Sequence, residues 1–276
     1  MENLPLWDRD GLLGSPLFEP LYPVLRQLEN ARFPDLDALN ALLPASQKIS
    51  VHSGKALRFV AQGTGKLAFE SQYEPRCYLS GEVQTREQNL HDLFNALVWL
   101  TFPQSKAAIN QRHYRALTEV GTPLSSQRGS VRDMATLFDE SGVIVACADA
   151  CLEELLQGFR WKELFYSRRD EARAGMGFYI FGHGLHEKAM QPYLGMTGQG
   201  LLLPVGREFF TWPLAERMQH LDERVAAYLN DPMHCLDTHE LDPVPLLGIP
   251  GWSADNEREE YYDNKDYFRS GRRRTA

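Results

Sequence analysis

Thr85-Arg86-Glu87-Gln88-Asn89-Leu90-His91-Asp92-Leu93-Phe94-Asn95-Ala96-Leu97-Val98-Trp99-Leu100-Thr101-Phe102-Pro103 is the stretch on which the reading of the fold turns. It opens as a capping box, in which the Thr85 hydroxyl accepts from the third helical amide and Gln88 reaches back, so a helix is expected to start there. Leu90, Leu93, Phe94, Leu97 and Leu100 recur at three- and four-residue spacing, and Val98 and Trp99 carry the apolar surface almost around the rod. That pattern marks a buried helix, which Pro103 ends. His91 and Asn95, four residues apart, share a face that is not the one carrying Leu90, Leu93 and Leu97. Polar groups on so apolar a helix are costly unless paired or used. Either His91 is a core histidine donating to a backbone carbonyl, or His91 and Asn95 belong to a site.

Beyond Pro103 a second helix is expected from about Ser105 to Thr118, with Lys106, Asn110 and His113 on one stripe. If Pro103 folds the two helices into an antiparallel pair, two His, two Asn and one Lys line a common cleft. Such a cleft suits a small anionic ligand, with either His as acid or base near neutral pH and Asn95 and Lys106 orienting the anion. Arg86 adds a guanidinium that can clamp a phosphate or carboxylate, and Arg76 lies nearby. The competing reading places the second stripe in water, as polar helix stripes usually are.

The core continues on both sides of this pair. Leu57–Val60 reads as a strand bounded by a Gly63-Thr64-Gly65 turn. Thr136-Leu137-Phe138 and Val143-Ile144-Val145 flank Asp139-Glu140-Ser141-Gly142, which reads as a type I turn in a β-hairpin. This accounts for Asp139 and Glu140 structurally, with metal ligation the minority alternative. Helices are expected over about 148–157, 161–173 and from Pro213 to Leu229, and strands over 178–181 and 201–205. Between strand and helix stands Gly182-His183-Gly184-Leu185-His186-Glu187. His183, His186 and Glu187 can project from one face of a helix start, a two-His, one-carboxylate set for a divalent metal, although the spacing is not that of HExxH. The glycines would let backbone amides approach an anion. The plain alternative is a histidine that packs at the end of a strand. The candidate catalytic residues are thus His91, His183 and Asn95, the ligand-binding ones Lys106, Asn110, His113 and Arg86, and the metal set His183, His186 and Glu187.

The chain of 276 residues, 43% of them hydrophobic, suffices for one substantial core. The expected architecture is α+β: a predominantly helical single domain with a β-hairpin and a small sheet. It divides into a loop-rich segment 1–45 with six prolines, a core over 46–250 and an extended tail over 251–276 that packs on the domain and ends in frayed Arg272-Arg273-Arg274. A net charge of −8 argues against retention on nucleic acid or an anionic membrane. No stretch has the roughly 18 uninterrupted apolar residues of a membrane span. With no basic-then-apolar leader at Met1–Asp10, the expected location is the cytoplasm. Cys77, Cys147, Cys151 and Cys235 contain no CxxC pair and read as reduced thiols. Cys147 and Cys151 read as two buried residues on one helix face, the alternative being a metal or redox pair. Phosphate-loop, GxSxG, Rossmann and EF-hand motifs are missing, so those nucleotide-binding and hydrolase classes gain no support, and no cofactor is named.

Glu82-Val83-Gln84-Thr85-Arg86, Asn89 to Trp99, Phe102-Pro103 and Lys106-Ala107 together resemble the bacterial family catalogued as domain of unknown function 3025. Phe181-Gly182-His183-Gly184-Leu185, Pro250-Gly251-Trp252, Tyr262-Asp263 and Phe268-Arg269 fit the same pattern. The resemblance spans about residue 45 to 270. It implies that the whole chain is one domain and that the His91 and His183 segments belong to the defining pattern; it implies no activity. The expected function is an enzyme of the hydrolase or transferase kind acting on an anionic small molecule. The alternative is a non-catalytic module that binds protein or RNA through the Tyr- and Arg-rich tail.

Overall fold

The computed structural model describes residues 7–43, 49–63, 68–118, 127–234 and 237–271, with side chains described for all of these except 127–132. The proline-rich N-terminal segment forms α1 (Arg9–Leu13), a 3-10 turn over Pro16–Leu21, α2 (Tyr22–Leu25) and α3 (Leu36–Ala41). Asp8 and Asp35 cap α1 and α3 by accepting from Gly11 N and Ala38 N. Leu12, Phe18, Leu21, Leu25 and Leu39 bury themselves in the core, so this segment lies over it.

β1 (Arg58–Ala61), α4 (Tyr73–Ser80) and β2 (Glu82–Thr85) make a small parallel crossover, with Arg58 opposite Glu82 and Ala61 opposite Thr85. Gly81 ends α4 at φ 73°, where a Cβ would lie 2.1 Å from the Ala56 carbonyl oxygen. Thr85 is therefore the last ladder residue of β2, and the expected capping box is not formed. The helix starts four residues later: Asn89 accepts from Asp92 N at 2.9 Å and opens α5 (Leu90–Thr101). Leu93, Phe94, Leu97, Val98 and Trp99 are buried, as the near-continuous apolar surface requires. Pro103 starts α6 (Pro103–Thr118) directly after the Phe102 break.

The expected hairpin over 136–145 is replaced by a helix that passes straight into a strand: α7 (Gln127–Ser141) and β3 (Gly142–Cys147). Met134, Ala135 and Phe138 are buried at helical spacing, and that apolar face outweighs the local turn chemistry of Asp139. At Gly142 a Cβ would come within 2.3 Å of the Phe138 carbonyl oxygen, so glycine lets the strand leave the helix end directly. α8 (Ala150–Gln157) follows, capped by Asp149. Cys147 is buried at the end of β3 whereas Cys151 is exposed on α8, so they do not share a helix face. The expected helix over 161–173 is divided into a π-turn at Glu163–Ser167 and α9 (Arg169–Gly175).

Then come β4 (Met176–Ile180), α10 (His183–Ala189), β5 (Thr197–Pro204), α11 (Leu214–Asn230) and β6 (Asp242–Pro245). The second sheet has the order β4-β3-β5-β6, with β3 antiparallel to β4 and parallel to β5, and β5 antiparallel to β6. The chain is thus α+β, mainly helical with two small sheets. Every residue of β3 is buried, which explains its unbroken apolar run. The tail returns to the core in 3-10 turns at Ala254–Glu257 and Glu259–Asp263 and buries Asn256, Tyr262, Tyr267 and Phe268. Arg272–Arg274, Cys235 and most of the Gly63–Gly65 turn lie outside the described residues. Among the described residues no helix is long and apolar enough to cross a membrane.

Candidate functional site

β3 and β4 run antiparallel with Val143 opposite Ile180, so the residues before β3 and after β4 meet at one end of the sheet. Asp139 and Glu140 arrive there from the end of α7, and His183 from the start of α10. Gly182 and Gly184 permit the approach. A Cβ at 182 would lie 2.5 Å from Ser141 N, and one at 184 would lie 2.3 Å from Glu140 Oε2. The glycines around His183 thus admit the end of α7. α5 packs beside α10 and brings His91 to the same point.

His91 Nε2 and His183 Nε2 face each other at 3.0 Å, and Glu140 Oε1 lies 3.9 Å from the first and 3.5 Å from the second. Among the described residues these three side chains are identified as a group able to hold an ion. Given edges of 3.0, 3.5 and 3.9 Å, an ion at the centre of the triangle lies about 2.0 Å from all three atoms, within the roughly 2.0–2.2 Å of zinc–nitrogen and zinc–oxygen bonds. The far nitrogens also face carboxylates. His91 Nδ1 is 2.9 Å from Glu187 Oε2, and His183 Nδ1 is 3.6 Å from Asp139 Oδ2. The Glu187 bond places the His91 proton on Nδ1 and leaves its Nε2 lone pair toward the shared centre, as outer carboxylates do for metal-bound histidines, whereas the buried His183 Nδ1 makes no hydrogen bond. Burial pushes His183 down to about 4 despite the neighbouring Asp139, so the imidazole is neutral and able to ligate at ordinary pH. Burial also raises Glu140, against the pull of His91.

A cavity of about 470 Å³ opens beside this group. Lys106 is 3% exposed and pairs with Asp139. Burial pushes the Asp139 carboxyl up, but Lys106 and His183 outweigh burial and hold it below its ordinary value. Asn110 donates to Glu74 Oε2 at 2.6 Å, and His113 Nδ1 lies 2.9 Å from Glu74 Oε1. The second-helix stripe is therefore buried and engaged, not solvated: the acid end of α7 and Glu74 of α4 neutralise it. His91, Asn95 and His113 line the cavity, whereas Lys106 and Asn110 stand behind its wall. Asn95 Nδ2 donates to the Tyr73 hydroxyl at 2.7 Å, while its Oδ1 is buried without a hydrogen-bond partner. Arg86 is clamped on Asp92 by bonds of 2.9 and 2.8 Å, and Arg76 pairs with Glu82.

His186 does not join the His91–Glu140–His183 cluster. Its ring stacks between Phe18 and Phe94, its Nε2 donates to the Ile180 carbonyl at 3.1 Å, and burial lowers it to about 3. One helical turn separates it from His183, but α10 carries that face into the core. Glu187 stands behind His91 rather than beside His183. The carboxylate beside the two imidazoles is Glu140, from a position that sequence reading assigned to a turn. Glu74, Tyr73 and Thr136 carried no sequence signal of their own.

Residues 57–272 match the family described as "Protein of unknown function (DUF3025)". The chain belongs to the DUF3025 family. No curated protein and no solved structure matches the chain. His91, Glu140 and His183, with Tyr73, Glu74, Asn95, His113 and Thr136, all fall inside the DUF3025 span.

Proposed function

We propose that this DUF3025 protein binds a divalent transition-metal ion through His91 Nε2, His183 Nε2 and Glu140 Oε1, and uses it to hydrolyse a small polar substrate held in the cavity. The observation that carries the reading is the triangle of donor atoms, whose centre lies at bonding distance from all three. Two imidazoles and one carboxylate suit a zinc- or iron-class ion. Three protein ligands beside a cavity leave a further position for water, as catalytic rather than structural sites do. There the ion lowers the pKa of water and polarises the bond to be broken. Lys106 and Arg86 are already committed to Asp139 and Asp92, so an anionic part of the substrate would be drawn by the ion. The tail's Tyr262, Tyr267 and Phe268 are buried in the core, which favours this reading over a partner-binding tail.

Plasma mass spectrometry of the protein dialysed against zinc, manganese or iron(II) tests the proposal. The expected result is about one ion per chain in the wild type and none in His91→Ala or His183→Ala. In Gly184→Ala, whose Cβ displaces the Glu140 carboxylate, retention should weaken roughly tenfold or more. A wild-type protein that retains none of the three ions sinks the proposal.

A further inference from the structure

A second set of groups faces the same cavity. His113 of α6 lies with Nδ1 at 2.9 Å from Glu74 Oε1 and Nε2 at 3.3 Å from the Thr136 hydroxyl. Asn110 anchors Glu74 at 2.6 Å through its other carboxylate oxygen. Because the carboxylate takes the proton on Nδ1, the Nε2 lone pair points at Thr136. Hydroxyl, imidazole and carboxylate thus stand in the order that activates a nucleophile, at a spacing ordinary for a site without substrate. The base and the hydroxyl differ in access as such a relay requires: His113 is buried, whereas Thr136 is exposed at the cavity wall. Thr136 and Glu140 are four residues apart on α7, so the hydroxyl sits one helical turn, about 5–6 Å, from a residue of the metal triangle. Tyr73, next to Glu74 on α4, accepts from Asn95 and so keeps its own O–H proton for a group in the cavity.

We propose that Thr136 is a catalytic nucleophile with His113 as its base, and that the protein cleaves carboxylic esters through an acyl-threonine intermediate. Thr136 Oγ1 bonds to the acyl carbon while its proton passes to His113 Nε2; the ester C–O bond breaks and the alcohol leaves with that proton. Water, deprotonated by the same nitrogen, then attacks the acyl-threonine, releases the acid and restores the hydroxyl. Glu74 is a positioning residue that holds the ring. The relay goes beyond the metal reading; only polarisation of the carbonyl oxygen by an ion one turn away rests on it.

The test is covalent labelling with an alkyl fluorophosphonate, whose P–F bond is broken as Thr136 oxygen bonds to phosphorus and fluoride leaves. Intact mass and peptide mapping are read on wild type, Thr136→Val, Thr136→Ser and His113→Gln, with metal content measured on the same samples. The expected result is a single adduct on Thr136, retained on the residue at 136 in Thr136→Ser, absent in Thr136→Val and formed at least tenfold more slowly in His113→Gln. The charged groups acting on His113 are Glu74 of α4, Asp139 of α7 and Lys106 of α6; Glu74 outweighs burial and raises the ring. Glu74→Gln should therefore move the pH midpoint of labelling downward, which a loss of fold would not do. No adduct on Thr136 in the wild type overturns the proposal, as does an undiminished rate in His113→Gln. If His113→Gln does not fold, the Ser and Val variants decide alone. An adduct on protein without metal would support the relay and leave metal binding to be decided by the metal content alone.

Discussion

His186 shows how one turn of helix separates a cavity-lining histidine from a core residue. It sits three positions after His183, yet its ring lies between Phe18 and Phe94 and its donor is spent on the Ile180 carbonyl. Burial lowers it to about 3 from an ordinary 6.5, so as pH falls the unfolded chain takes the proton first. Its contribution to stability is complete above about 6.5 and is lost progressively as pH falls toward 3. Replacing it by phenylalanine keeps the stack and removes the titration. His186→Phe should be about 1 kcal/mol less stable at pH 7 through the lost hydrogen bond, but should lose about 2 kcal/mol less than wild type between pH 7 and pH 5. Urea unfolding of both proteins at the two pH values checks this, and parallel losses would contradict it.

Among the elements, α6 is the one whose placement decides the cavity, because it carries Lys106, Asn110 and His113. Its orphan N-terminal amides are not capped from its own sequence. Asp222 of α11 accepts from Gln104 N at 3.0 Å, Ser105 N at 2.8 Å and Ser105 Oγ at 2.7 Å. A cap delivered from more than a hundred residues away cannot be seen in the local pattern, which is why α6 reads from sequence as an ordinary amphipathic helix. Asp222→Ala leaves the Gln104 and Ser105 amides without their acceptor, while Ser105 Oγ keeps the residue-222 carbonyl, and should cost roughly 1–3 kcal/mol by urea unfolding, whereas Asp222→Asn, which retains an acceptor oxygen, should cost about half as much. Equal losses in the two variants would show that the carboxylate does not act as the cap. α7 differs in the opposite direction: its turn-like Asp139-Glu140-Ser141-Gly142 obeys local chemistry on paper, but the buried Met134, Ala135 and Phe138 hold it helical and so aim Glu140 at His183.

Across the whole molecule, one continuous apolar cluster runs from Leu12 of the N-terminal wrap to Phe268 of the tail. The tail is tied by Asn256 Nδ2 to the Leu247 and Ile249 carbonyls, by Leu247 N donating to Tyr267, and by Trp161 Nε1 donating to the Arg269 carbonyl. Removal of residues 253–276 exposes the cavities left by Tyr262, Tyr267 and Phe268 and should cost several kcal/mol, on the order of 5, seen as a large fall in the thermal midpoint. A truncated chain with an unchanged midpoint would make the tail an appendage. The α+β class, the buried α5 helix, the strands at 178–181 and 201–205 and the packed tail were legible in the sequence, because each rests on periodicity or composition within one segment. His91, Asn95 and His183 could be singled out for the same reason, as polar residues on apolar elements, and His113 as part of the polar stripe of the next helix. What only the tertiary structure decided is their partnership. Glu140 in place of His186, Glu74 behind His113 and Asp222 on α6 depend on the antiparallel meeting of β3 with β4 and on contacts between helices far apart in the chain. Hydrophobic period records which face of an element is buried; it does not record which other element will be lying against it.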